Sequence, residues 1–244
     1  MTVPEMHIAV KIGVAKTSSL TTAAFEPEEI NYWLNEAQLE LVKQKMFGTN
    51  YRKEDYDMGV KRADDLSKLI VYSDELIFDP LELLGPGFRK HSYHPNIAVV
   101  NITEETMPGY LFYIGADFLA TSSYHVNPTV KPMETVLIKQ SQIGSLVETP
   151  HNRPVLRNGY IYLKEGEVNV IYDSEATPYS IYVSYLKKPR KLVEVAINSD
   201  VETVTSDLPE QVHSELVALA VKLMLENIES PRQQSFEFEL RRTE

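Results

Sequence analysis

A chain of 244 residues allows one large domain or two small ones, and 43% hydrophobic with 24% charged residues is the composition of a folded chain, not a disordered one. Its net charge of −11 and pI near 5.1 argue against wrapping around a phosphate backbone, because affinity for nucleic acid comes largely from Lys and Arg displacing condensed counterions. The absence of cysteine removes disulfides, thiolate catalysis and Cys-ligated metals together, so stability must come from packing or assembly.

Taken in chain order, Met1-Thr2-Val3-Pro4-Glu5 has neither the basic leader nor the apolar run of a signal peptide, and no stretch reaches the roughly 18 apolar residues that span a bilayer. The expectation is a soluble chain made in a cytoplasm, with no membrane partner. Residues 5–16 read as a short helix with Ile8, Ile12 and Ala15 on one face, weakened by Gly13 and β-branched residues. Phe25-Glu26-Pro27-Glu28-Glu29-Ile30 opens a stronger helix over about 27–47. It has Pro at the first helical position, acids in the first turn, an apolar stripe of Ile30, Trp33, Leu34, Ala37 and Leu41, and Gly48 as the stop. A third, more polar helix is predicted over about 53–71.

From Tyr72 the period turns to alternation, with strands predicted at 97–103, 110–114, 118–124, 135–140, 159–164, 166–172 and 179–186. Glu165-Gly166 joins two of them in a hairpin. Tyr160, Tyr162, Tyr172, Tyr179, Tyr182 and Tyr185 are strand composition first and a ligand-stacking set second. Helix returns at Asp207-Leu208-Pro209-Glu210, where Asp207 and Glu210 have capping-box spacing, and Val212, Leu216, Leu219 and Leu223 form the strongest helical stripe in the chain. The predicted organisation is α+β. A helical layer is built from both chain ends (1–72 and 205–230), an antiparallel sheet or sandwich with long arms is inserted at 73–204, and 231–244 is a tail.

The motifs that carry chemistry are missing. There is no Gly-x-Ser-x-Gly elbow, P-loop or dinucleotide turn, and Gly85-Pro86-Gly87 lacks a strand-to-helix context. His91 and His94 are a loop pair without a third ligand. Asp55-x-Asp57-x-Gly59 fails the calcium-loop pattern, with Leu66 where the bidentate Glu belongs. Among the paired carboxylates, Glu104-Glu105 beside Pro108-Gly109 is the best catalytic candidate, against the plainer reading of a solvated face. No cofactor, metal or catalytic residue is expected.

What remains points to assembly. Lys187-Lys188-Pro189-Arg190-Lys191 is a basic run in an acidic chain, suited to an acidic neighbour subunit, a phosphate backbone or simply a solvated turn. Trp33 is a core or interface residue. Phe236, Phe238 and Leu240 alternate with Glu237 and Glu239 in the tail, fit either to anchor on a neighbour or to fray. Lys187, Lys188, Arg190, Lys191, Trp33, Phe236, Phe238 and Leu240 are therefore the candidate interface set.

The segment Phe25 to Ala37, and the segments Leu208-Pro209-Glu210 through Leu216 and Glu226 through Arg232, resemble the neck proteins of tailed bacteriophages. The similarity is greatest to ring or head-to-tail adaptor proteins of crAss-like podoviruses, in which a Glu-Pro-Glu-Glu helix and a late Leu-Pro-Glu helix ending in Ser-Pro-Arg recur. The likeness covers about the first 47 and last 40 residues, and the middle only as a Tyr-rich strand pattern ending in Lys-Lys-Pro-Arg. It implies a virion structural protein, not an enzyme: a homo-oligomeric and twelvefold ring below the portal protein. Such a ring would dock adjacent ring or tail-nozzle proteins and pass DNA during ejection without specific binding. The acidic charge fits such a channel. The alternatives are a tail-tube or nozzle subunit and, from another class, a hydrolase or carbohydrate-binding module using the Tyr-rich strands.

Overall fold

The computed structural model describes residues 1–17, 25–48, 60–77, 88–90, 97–122, 130–143, 154, 158–164, 166–173, 176–193 and 204–227. The fold is α+β, divided into one unit of Met1–Leu69 with Lys188–Glu244 and a second of Ile70–Lys187.

The first unit holds helices α1 (Val3–Thr17), α2 (Pro27–Phe47), α3 (Val60–Leu66) and α4 (His213–Asn227), and α4 packs on both α1 and α2, so the two chain ends share one helical layer. Helix α2 starts and stops on its own sequence. Pro27 is in its first turn, the Glu29 carboxylate accepts the Glu26 N–H at 3.2 Å, and Gly48 ends it in the left-handed region at φ 64°, donating its N–H to Gln44 O at 3.0 Å. The layer buries Ile30, Leu34, Ala37, Leu41 and Val42 of α2 against Leu216, Val217, Ala220, Val221, Met224 and Leu225 of α4 and Val3, Met6, Val10 and Val14 of α1.

Three expectations change here. Helix α1 buries the Val3/Met6/Val10/Val14 stripe, and Ile8 and Ile12 face outward, 58% and 51% exposed. The side that turns inward is the one where Gly13 lets α4 approach: a Cβ there would sit 2.7 Å from Val221 Cγ2. Helix α3 stops at Leu66, after which a 3-10 turn (Ser67–Leu69) leads into strand β1 (Ile70–Tyr72), because the β-branched and aromatic Ile70-Val71-Tyr72 pairs with a strand instead of continuing the helix. Residues 53–59 of that predicted helix lie outside the described residues. Asp207 does not cap the last helix. Its carboxylate is taken by Arg190, whose Nε and Nη2 donate to Oδ1 at 2.8 and 2.6 Å, and the chain enters α4 through the turn Glu210–Val212. A bidentate, charge-assisted pair outcompetes a neutral backbone cap.

The second unit contains, among the described residues, strands β1, β2 (Leu76–Ile77), β3 (Phe88–Lys90), β4 (Ile97–Asn101), β5 (Tyr110–Ser122), β6 (Val130–Leu137), β7 (Asn158–Lys164), β8 (Glu167–Ile171) and β9 (Ala176–Lys187). They form one mixed sheet in the order β1-β9-β5-β6-β7-β8-β4-β3, with β2 also beside β9. Every pairing is antiparallel except β6–β7, which is parallel, Val136 standing opposite Tyr160. A parallel pair needs a crossover of a dozen or more residues, and the connection from Leu137 to Asn158 supplies it. The expected strands 110–114 and 118–124 are one strand, β5, whose alternation is broken by register shifts at Tyr110/Phe112, Tyr113/Gly115 and Leu119/Ala120. The β7–β8 hairpin forms as read, Lys164 opposite Glu167, with Gly166 at φ 82°. Nothing lies within 4 Å of a Cβ there, so the backbone, not crowding, asks for glycine. The core of this unit centres on Phe118, Met133, Ile161, Ile181, Val183 and Tyr185, with the Phe118 and Tyr172 rings 6.0 Å apart.

Candidate interaction surface

The helical stripes of α2 and α4 are wider than the core they bury. Beyond the buried residues, Trp33 and Leu39 of α2 and Leu219 and Leu223 of α4 are only half-buried. They line a groove of about 310 Å³ between the two helices, together with Tyr32, Glu36, Glu40, Lys43, Gln44, Lys222 and Glu226. At one end Tyr32 and Trp33 meet edge to face, ring centroids 5.1 Å apart, with Tyr32 58% exposed. The lining mixes three leucines and an aromatic pair with charges of both signs, so polar and apolar groups share the groove. Trp33, one of the predicted interface residues, stands in it. Leu39, Leu219 and Leu223 are apolar residues at helical spacing, and only the packing of α2 on α4 leaves them at the groove.

Charged and polar side chains also tie the helices of this unit together. Buried Asp65 receives the Lys45 ammonium at 2.9 Å, Lys45 also pairs with Glu215, and Gln211 Nε2 donates to Asp65 Oδ1 at 3.0 Å and Asp64 Oδ2 at 2.8 Å, tying α2, α3 and α4 together. Burial pulls the Lys45 pKa down, but the hydrogen bonds and charges of the two carboxylates outweigh it and the net shift is upward. At the start of α4 the buried His213 ring donates from Nε2 to Leu208 O and receives the Met1 amino group at Nδ1, both at 3.1 Å. Burial, helped by the charge of that amino group, lowers its pKa against the Leu208 hydrogen bond and Glu210.

The basic run is divided in its roles. Lys187 lays its side chain over Gly109, whose Cβ would meet Lys187 Cγ at 3.2 Å, and Arg190 is committed to Asp207. Lys188 and Lys191 are exposed. The segment they flank is anchored to α2: the Asn35 side chain accepts the Leu192 N–H at 2.7 Å and donates to Leu192 O at 2.9 Å, while Gln38 donates to Arg190 O at 2.9 Å. Asn35 and Gln38 carried no sequence signal beyond their place on a helix. Phe236, Phe238 and Leu240, like His91, His94 and Asp55, lie outside the described residues.

Glu104 serves a turn. Glu104 accepts the Gly109 N–H at 2.9 Å, while Thr106 donates its hydroxyl to Asn101 O at 2.9 Å and accepts the Thr103 N–H at 2.9 Å. Among the described residues no three His, Asp or Glu side chains gather as metal ligands, and no helix is long and apolar enough to cross a membrane. The sheet tyrosines divide in the same structural direction: Tyr162, Tyr172 and Tyr185 are core residues, and Tyr185 donates its hydroxyl to Pro108 O at 3.2 Å. Compared with known proteins, the chain matches no family model and no curated protein.

Proposed function

We infer that the chain is a virion structural protein, a head-to-tail adaptor subunit that assembles into a ring below the portal, lengthens the DNA channel and receives the next ring or the tail nozzle. The observation that carries this reading is the pairing of α2 with α4. The two sequence segments that resemble phage neck proteins, far apart in the chain, fold as neighbouring helices of one layer and leave a groove of mixed polar and apolar lining between them. A shared packing motif is the kind of feature a family of assembly proteins keeps, since its work is done by surfaces. A chain of this length is too small to encircle a duplex alone, so a ring takes many copies, joined by contacts whose rotation closes. The net charge of −11 suits a channel past which phosphates slide. The burial of Tyr162, Tyr172 and Tyr185 removes much of the stacking platform that a carbohydrate-binding reading would use.

The test is co-expression of the chain with candidate portal and tail proteins from its own genome, followed by mass photometry and electron microscopy. Rings of this chain, alone or seated on the portal, are expected. A chain that stays monomeric beside all of those partners and binds glycans or turns over a substrate overturns the reading.

A further inference from the structure

We propose that Lys188 and Lys191 hold the phosphate backbone of duplex DNA, as two point contacts that attract the duplex without reading its sequence or fixing its position. The proposal rests on the ring-subunit reading, which brings DNA past the chain, and names the residues that would meet it.

The two lysines stand on a backbone that is fixed before any partner arrives. Both backbone polar groups of Arg190 and both of Leu192 are held by side chains. Arg190 donates its N–H to Asp207 Oδ2 at 2.9 Å, and its carbonyl accepts from Gln38 at 2.9 Å. The Leu192 N–H and carbonyl both meet Asn35, at 2.7 and 2.9 Å. Lys191 lies between these two residues, and Lys188 precedes Pro189, whose ring fixes its own φ. A solvated turn has no use for so many restraints, whereas a binding segment gains from them, because association then has no backbone left to order.

What residues 188–192 show to solvent is charge alone. Pro189 and Leu192 are buried, whereas Lys188, Arg190 and Lys191 are exposed. Protein interfaces are built on an apolar core within a polar rim, and this segment offers no exposed apolar side chain to such a core. A phosphate backbone asks for none, since its affinity comes from cations that displace condensed counterions. From Lys187 to Val193 there is also no aromatic residue on which a base could stack, which favours the backbone of a duplex over single-stranded bases. Arg190 adds no fixed grip. Its Nε and Nη2, the edge that would pair bidentately with a phosphate, donate to Asp207 at 2.8 and 2.6 Å. The two lysines are point charges on flexible stems. They lie three residues apart, at most about 10 Å along the chain. A duplex carries one charge per about 1.7 Å of its axis, so each lysine finds a phosphate wherever the DNA stands. Such a contact attracts a duplex and lets it slide. In a chain of net charge −11, this run of cations sets where a duplex can come close.

The experiment measures binding of a fluorescent duplex of about 30 base pairs by anisotropy, on the free full chain and on its rings, from about 50 to about 200 mM salt. Lys188→Gln with Lys191→Gln is compared with Lys11→Gln with Lys131→Gln, a pair that removes the same two charges from exposed positions elsewhere. All four side chains are exposed, so melting temperatures are expected to match the unmodified chain. Binding by the unmodified chain is expected to weaken about tenfold over that salt range. The Lys188/Lys191 pair is expected to lose at least about tenfold in affinity at the lowest salt and to flatten the log–log salt slope by about 2, against a change within about threefold in the control pair. Equal losses in the two pairs would assign the binding to net charge and overturn the site. Unchanged DNA binding in the Lys188/Lys191 pair overturns it as well, and if that pair loses its rings at the same time the lysines belong to a subunit contact. Rings with no lysine-dependent binding overturn the site and leave the ring reading standing. Lysine-dependent binding by a chain that never forms rings, with or without the portal, keeps the site and overturns the ring. No binding at about 50 mM salt by the unmodified chain or its rings overturns the site outright.

Discussion

Gly13 of α1 and Val221 of α4 approach so closely that a Cβ on Gly13 would stand 2.7 Å from Val221 Cγ2 and 3.3 Å from Val221 Cγ1. Valine in a helix is stiff at χ1 and Val221 is buried, so it has no easy rotation away. In an open helix Gly→Ala stabilises by about 1 kcal/mol. Here overpacking of about 1–3 kcal/mol opposes it and wins. Gly13→Ala is expected to lower the melting temperature, and Val221→Ala in the same chain to recover part of the loss. A melting temperature equal to or above that of the unmodified protein would show that the two helices simply move apart.

The contact also explains why α1 reads differently in sequence and in space. Both stripes, Ile8/Ile12/Ala15 and Val3/Met6/Val10/Val14, have helical spacing; the close approach at Gly13 decides which is buried, and nothing local announces it. Features set by neighbouring residues were legible: Pro27 at the start of α2, Gly48 at its end, the turn at Gly166 and the α+β order of elements. Features set across the chain were not. Asp207 has good capping-box spacing but meets Arg190 instead, the parallel β6–β7 pair depends on a long crossover, and the bulges of β5 interrupt the alternation that marks a strand. The candidate site follows the same division. Trp33, at helical spacing with Ile30 and Ala37, reads as core or interface, whereas Leu39, Leu219 and Leu223 look like any other core leucines until α2 and α4 are packed.

That division separates Leu216 from Leu219, three residues apart on α4. Leu216 is fully buried and Leu219 is half-buried at the groove. From the stripe alone, aspartate at either position is expected to unfold the layer. From the structure, Leu216→Asp leaves an unpaired charge in the core at a cost of about 4 kcal/mol or more, and Leu219→Asp costs about 1 kcal/mol because its carboxylate reaches water. Urea titration followed by circular dichroism distinguishes them. Equal midpoints for the two variants would mean that the groove is closed in solution.

The His213 ring gives the helical unit an acid limit. Its pKa lies below the ordinary histidine value, chiefly because burial disfavours the imidazolium, and its Nδ1 must stay unprotonated to accept from the Met1 amino group. The unfolded chain therefore takes up a proton at higher pH than the folded one. The stability from this group is fully present above about pH 6.5 and is lost as pH falls through the lowered folded value. His213→Asn keeps a donor near Leu208 O and cannot titrate. Below about pH 6.5 its stability is expected to fall with pH less steeply than that of the unmodified chain, by up to about one proton. Parallel curves for the two proteins from pH 7 to pH 5 would rule out His213 as a source of acid sensitivity.

Asn35 holds the segment after β9 as a strand neighbour would, giving Leu192 both an acceptor for its N–H and a donor for its carbonyl, while also donating to Asn31 O at 2.7 Å. Gln38, buried beside it, fixes Arg190 O and accepts the Ser206 hydroxyl at 3.1 Å. Asn35→Leu keeps the branching and heavy-atom count of the side chain but leaves the backbone groups of Leu192 unpaired, a loss of about 1–3 kcal/mol. The effect should concentrate where the bonds are, because segments open locally before the whole domain does. Arg190 and Lys191 are both trypsin sites, whereas the bond after Lys188 is protected by Pro189. Limited trypsinolysis read by mass spectrometry is therefore expected to show faster cleavage after Arg190 and Lys191 in Asn35→Leu than in the unmodified chain, with cuts in Ile70–Lys187 unchanged. A uniform acceleration across the chain would assign Asn35 to global stability instead, and no acceleration would mean that Gln38 holds the segment alone.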